Sequence, residues 1–524
     1  MWKKESPPLV AFTLWRKGIL VFLDRRVVAM LFFGFSAGLP ILLIFSSLSL
    51  WLGEAGVERQ AVTFFSWAAL GYAFKFIWAP LVDQLPIPFL TRFFGRRRAW
   101  ILMSQLFVIF AILLMSSVDP ASNPQSLTLM AAGAVLLGFS SATQDIVIDA
   151  FRIESAPISL QALMSSAYIA GYRVGMVVAG AGALFLADYF GSTKASYNYG
   201  AWQLTYTLMA ATMLIGLVTT LLVVEPQVSI QVPVKSFGSA LSGVENARLL
   251  LVFGFGVSAF IGVFFGFGLA AELMQSYLGG GPMAALLAQS LKLLLGLSAA
   301  VAVGALLVRL GVASVDLARR TWWGPVSEFF GRFGAKTAWL VLALIGLYRI
   351  SDIVLGVISN VFYQDLGFSK PEIAAAVKTF GVLVGIGGSI LGGVIAVRIG
   401  VMRTLMLGAA ASAITNLGFL VLAIVGRDMV WLYAVVSADN LAAGFASAAF
   451  VAFLSGLTNV SFTAVQYAIF SSLMTLLPKT LGGYSGGMVD ALGYPTFFVV
   501  TTLIGLPVLW LIYLANQRLE MQRS

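Results

Sequence analysis

Six ionisable residues, Asp145, Arg173, Arg349, Asp352, Lys378 and Asp439, interrupt long apolar runs in a chain that has no histidine and no cysteine. A charged side chain in hydrocarbon is costly, so such residues face a bundle interior or a wet cavity and mark the path of a solute or ion. With no imidazole or thiol available, a proton must travel on carboxylates, and Asp352, Asp145 and Asp439 are the candidates. Arg173 and Arg349 each lie about 12 residues from a span end, roughly 18 Å deep at 1.5 Å per residue. Two guanidiniums at that depth suit an anionic solute held through paired hydrogen bonds. Asp352 follows Arg349 by three positions and shares its helical face, which also allows a purely local neutral pair.

Lys75 and Asp145 fall at one depth, and Lys378 and Asp439 at another, so each acid is placed to neutralise the base at its own level. The alternative to a transport role is a structural ion pair in each half. Asp149 is four residues from Asp145 and near enough to the surface to pair with Arg152. Gln144 adjoins Asp145 as a further polar contact. Tyr72, Lys75 and Trp78 share a face, and Tyr348 and Tyr168 flank the deep arginines, which offers aromatic faces to a sugar ring. No Gly-Lys-Ser/Thr phosphate loop is present, and the common histidine- or cysteine-based triads are excluded, so the chain reads as neither an ATPase nor an enzyme. No cofactor or metal is expected, the proton being the coupling ion.

These residues need elements that cross a membrane. The chain of 524 residues is 60% hydrophobic and 10% charged, outside the range of soluble domains. Runs of about 20 apolar residues predict helices near 27–52, 61–81, 99–118, 127–150, 161–187 and 203–224, then near 337–362, 371–397, 402–424, 430–456, 463–487 and 495–514. Two more, near 249–277 and 285–310, lie between the sixes, giving about fourteen spans in an all-α polytopic membrane protein. Of the 32 Lys and Arg residues, 22 gather on one side, which places both termini in the cytoplasm. The net charge of +10 follows from that bias and does not call for nucleic acid.

The expected organisation is a basic interfacial segment at 1–26, a six-helix bundle at 27–226, a central linker at 227–336 with the extra pair and an interfacial helix, a second bundle at 337–514, and a tail at 515–524. The extra pair is expected to pack outside the bundles. The halves echo each other, as in Gly138-Phe-Ser-Ser-Ala142 and Gly444-Phe-Ala-Ser-Ala448. Repeats of this kind build major facilitator folds, with the solute site between them. Asp83 ending span two, followed by Gly95-Arg96-Arg97 opening span three, resembles the conformational latch of such transporters, so Asp83, Arg96 and Arg97 are assigned to gating.

Several segments extend the resemblance: Gly34-Phe-Ser-Ala-Gly-Leu-Pro40, Phe74-Lys-Phe-Ile-Trp-Ala-Pro80, Ser141-Ala-Thr-Gln-Asp-Ile-Val-Ile-Asp-Ala150, Gly171-Tyr-Arg-Val-Gly-Met176, Leu347-Tyr-Arg-Ile-Ser-Asp352 and Lys378-Thr-Phe-Gly381. Asp439-Asn440, Phe450-Val-Ala-Phe453 and Phe462-Thr-Ala-Val-Gln466 continue it. Together they resemble the AmpG muropeptide permeases. That resemblance implies a proton-driven permease of the Gram-negative inner membrane, embedded in lipid, and a monomer is expected. It would import N-acetylglucosaminyl-1,6-anhydro-N-acetylmuramyl peptides for peptidoglycan recycling, with a link to β-lactamase induction. It adds Asn440 and Gln466 to the solute contacts, beside Arg349, Arg173, Gln144, Tyr72, Lys75 and Tyr348. Competing readings are a permease for another bulky anion, acyl-CoA-like or siderophore-like, and a membrane sensor that transports nothing.

Overall fold

In hydrocarbon every backbone N–H and C=O must be satisfied internally, so apolar runs of this length fold as helices. A computed structural model describes residues 23–57, 70–193, 196–226, 243–279, 282–482 and 485–521, and its regular structure is helical throughout. The long helices are α1 Arg25–Leu42, α2 Arg96–Ser116, α3 Pro124–Ser155, α4 Ile158–Val177 and α5 Tyr199–Thr212. Next come α6 Gly243–Gly266, α7 Pro282–Arg309, α8 Gly324–Leu347 and α9 Ile350–Asp365. The last are α10 Gly381–Ile399, α11 Val401–Val425, α12 Met429–Leu457, α13 Thr463–Gly482 and α14 Ser485–Met521.

Among the described residues, eleven helical stretches are long and apolar enough to cross a membrane, against the fourteen expected. Leu294–Arg309 and Val460–Leu476 are apolar but shorter. The basic segment expected at 1–26 lies outside the described residues up to position 22, as does the start of span two up to position 69. At its edge, Asp24 caps α1 by accepting the Arg26 N–H at 2.9 Å and pairing with the Arg26 guanidinium, also at 2.9 Å.

The chain forms two compact units. One contains 86–228 and 332–524 with the first 79 residues, and so holds both six-span halves. The other is made of 80–85 and 229–331. In that second unit α6 and α7 pack on each other, and the Lys292 ammonium sits 4.6 Å from the centre of the Phe264 ring. Thr321, in the π-helical turn Arg319–Trp323, donates to Gln84 at 3.0 Å.

Glycine sets the closest helix crossings in the first unit. α1 and α4 touch through Gly34, Gly38, Gly171 and Gly175, where any added Cβ would run into a backbone carbonyl of the facing helix. α10 meets α12 the same way through Gly388, Gly392 and Gly444. Small residues at such crossings let backbones approach, the usual source of packing energy between helices in lipid. Gly95 serves a turn instead. Its φ of 85° ends the chain's approach to α2, and a Cβ there would stand 2.5 Å from the Glu225 carboxyl carbon. Glu225 accepts the N–H groups of Arg97 and Arg98 at 2.7 and 3.0 Å and so caps α2.

Candidate functional site

The seventh main span is broken where chemistry is densest. α8 ends at Leu347, α9 starts at Ile350, and Arg349 between them is non-helical with φ −103° and ψ 13°. The expected single helix through 337–362 is therefore two pieces, with Arg349 as the N-cap of the second, its carbonyl accepting the Ile353 N–H at 3.1 Å. Arg349 and Asp352 meet as an i, i+3 pair, with Arg349 Nη2 3.8 Å from Asp352 Oδ2. The start of α9 is anchored by polar side chains from its neighbours. Ser351 donates to the Thr501 carbonyl at 2.8 Å, Asn416 donates to Ser351 at 2.6 Å, and Ser412 donates to Asp352 at 3.5 Å. Ser412 and Asn416 are spaced i, i+4 on α11, a signal present in the sequence but carried by neutral side chains that do not stand out as charges do.

Arg349 keeps most of its donors unspent. Its side chain is 28% exposed and its Nε has no hydrogen-bond partner. The first N–H groups of α9 likewise lack intrahelical acceptors and carry the positive end of the helix dipole. Broken spans with a half-helix N-terminus near midplane are how many secondary transporters meet anionic solutes.

Arg173 projects from α4 in the other half and lies against Gly385 of α10. It is within electrostatic range of Arg349 and Asp439, and Asp439 in turn feels Asp352, Arg349 and Arg173. Two bases and two acids from both halves thus form one cluster. Asp439 faces this cluster instead of Lys378, since Lys378 is exposed on the π-helical segment Ala374–Phe380. Asn440 donates to the Val436 carbonyl at 3.0 Å and packs on Gly381, half-buried beside the cluster.

A second network lies toward the arginine-rich end of the first half. Lys75, in a 3-10 turn, is 3.8 Å from Asp145 and 3.9 Å from Asp149. Tyr168 donates to Asp145 at 3.2 Å, and Tyr72 donates to Ser141 at 2.5 Å. Gln144 is fully buried and donates to Ser36 at 3.1 Å, turned toward α1. Asp149 pairs with Arg152 at 3.0 Å, as its position suggested.

That end is also where the halves are sewn together. Arg152 is wholly buried; it donates to Ser165 at 2.7 Å within its own half and to Ser455 at 3.0 Å across the seam, with its guanidinium 5.1 Å from the Tyr467 ring centre. Thr463 donates to Glu154 at 2.5 Å, and Glu154 also binds Arg97 at 2.5 Å and Arg96 at 3.7 Å. Glu154 is thus a partner of both predicted gating arginines. Asp83 is buried in the second unit.

Two expected solute contacts are engaged elsewhere. Tyr348 donates to the Leu405 carbonyl at 3.2 Å and stacks on Phe450 at 4.3 Å, so its ring face is taken. Gln466 accepts the Asn459 N–H at 2.8 Å and an Arg332 N–H at 3.4 Å, bracing the loop before α13 at the arginine-rich end. Neither offers a free polar face to the cluster.

Residues 26–346 match the Major Facilitator Superfamily. Among curated proteins, the "Anhydromuropeptide permease" of Escherichia coli K12 is 29% identical over 504 residues, 96% of this chain and 82% of that one. The "Putative transporter AmpG 4" of Rickettsia felis is 27% identical over 501 residues, 95% of this chain and 99% of that one. Among solved structures, the proton:xylose symporter XylE aligns with a TM-score of 0.56 at 13% identity, covering 95% of this chain and 96% of its own. The transporter FucP in its outward conformation gives 0.57 at 14%, covering 94% and 98%.

Proposed function

The chain belongs to the Major Facilitator Superfamily, and on that premise we propose that it imports anhydro-muropeptides, the N-acetylglucosaminyl-1,6-anhydro-N-acetylmuramyl peptides of wall turnover, on a proton gradient. Full-length similarity to an anhydromuropeptide permease supports the solute class. The observation that carries the reading is Arg349, placed at a break in a span with its Nε unpartnered and Arg173 within electrostatic range. The peptide arm of such a solute ends in carboxylates, which match a guanidinium fork and a half-helix N-terminus.

Proton coupling follows from the same geometry. A solute carboxylate that takes the donors of Arg349 removes the counter-charge 3.8 Å from Asp352, and that acid then binds a proton. Asp439 and Asp145 are the other carboxylates on the route. In this reading the arginine-rich end faces the cytoplasm of a Gram-negative cell, both termini lie there, and the protein works as a monomer in the inner membrane. Delivery of the solute then feeds peptidoglycan recycling and β-lactamase induction.

The deciding experiment is uptake of labelled anhydro-muropeptide by proteoliposomes with and without an inward proton gradient. Accumulation above equilibrium only with the gradient is expected. Equal uptake in both, or uptake matched by acyl-CoA-like and siderophore-like anions, would overturn it.

A further inference from the structure

Arg173 crosses from α4 to the opposite half and occupies space that a side chain at position 385 would need. A Cβ built on Gly385 would overlap Nη1 and stand 2.6 Å from Cζ and 3.2 Å from Nη2. The helix carrying Gly385 cannot step back. On its other side a Cβ on Gly388 would overlap the Leu441 carbonyl, and one on Gly444 would overlap the Gly385 carbonyl itself. α4 is held just as closely to α1 through Gly171 and Gly175. One flexible tip, between two backbones that are both pinned, is the only part free to give.

We propose that Gly385 is a positioning residue, a bare stretch of backbone in which the Arg173 guanidinium docks, so that the anion site is set only while the two halves are closed at the arginine-rich end. This deepens the reading of Arg173 as a solute contact and rests on it. The dock belongs to a continuous seam. Ser166 donates across it to the Ser389 carbonyl at 2.7 Å, and Ala162, Ala396 and Ala452 pack together further toward the arginine-rich end. Parting α4 from α10 removes the dock, and by reciprocity whatever seats Arg173 favours the closed seam. Gly385 thereby ties the position of a charge at mid-span to the state of a seal nearer the surface.

The chain has no cysteine, so Ala162→Cys with Ala396→Cys reports seam closure by disulfide cross-linking without background. Gly385→Ala adds one methyl against a movable side-chain tip, so it is expected to fold and melt near the parent temperature. Its ligand-free cross-linking should fall at least about twofold, and its affinity for anhydro-muropeptide about tenfold. Arg173→Ala alone should lower the cross-linking similarly, and Gly385→Ala should add nothing in that background. Unchanged cross-linking in either single variant, or a full further loss in the double, would overturn the proposal. Cross-linking needs no solute. A parent protein that fails to bind muropeptide would therefore sink the proposed function and leave the docking of Arg173 separately decided.

Discussion

Arg349 and Asp352 behave as a pair whose members have different second partners. Arg349 has donors to spare, whereas among the described residues Asp352 accepts the long 3.5 Å bond from Ser412 besides facing its arginine. Replacing Arg349 by Lys keeps the charge and removes the planar fork. Loss of one charge-assisted contact costs about 1.5–3 kcal/mol, so solute affinity in equilibrium binding should drop roughly tenfold to hundredfold. Parent-like affinity in that variant would end the bidentate role. Asp352→Asn keeps the shape but cannot titrate. It should abolish gradient-driven accumulation in proteoliposomes while solute exchange stays measurable. Full accumulation would pass the proton role to Asp439 or Asp145.

At the scale of elements, the α1–α4 crossing is the most exacting contact, because backbone meets backbone and neither can yield. Gly171→Ala would drive a methyl into the Leu31 carbonyl, and overpacking of this kind costs about 1–3 kcal/mol or more. Its melting temperature in detergent should fall clearly, while Gly385→Ala, facing only a side-chain tip, should not share that loss. The α1 cap gives a pH signature. The hydrogen bond from Arg26 holds the Asp24 carboxyl below its usual 3.8. A lowered acid contributes stability that is present above the ordinary carboxylate range and lost as pH falls through the folded value. Melting measured between about pH 5 and pH 2 should therefore be flatter for Asp24→Asn than for the parent. The helices themselves, the buried charges and the Asp149–Arg152 pair were legible in the apolar runs and spacings. The break at Tyr348–Arg349 was not, since neither residue is a helix breaker and what anchors α9 there comes from Asn416 and Thr501, remote in sequence. The π-helical turn that carries Lys378 was not legible either, since no local rule announces one. Gln466 looked like a solute contact because a polar residue in a motif reads the same whether it braces a loop or lines a cavity.

Across the whole molecule, the bonds that join the halves run from Thr463 and Glu154 through Arg152 and Ser455 to Ser166 and Ser389. The seam is polar at intervals, with side chains of each half bonded to the other. Arg152 shows what that entails for reactivity. With no exposed surface, its guanidinium is out of reach of a dicarbonyl reagent for as long as the seam holds. Each parting of the halves takes Ser455 and the Tyr467 ring away and lets solvent in, so the modification rate of this one arginine counts those excursions. Mass spectrometry of protein treated with phenylglyoxal should find Arg152 protected at rest and labelled faster during turnover, while Arg427, on the surface, is labelled at one rate throughout. Equal rates at Arg152 in the two conditions would mean that the seam does not open. The buried arginine is then a clock built into the transport cycle, readable without any reporter group.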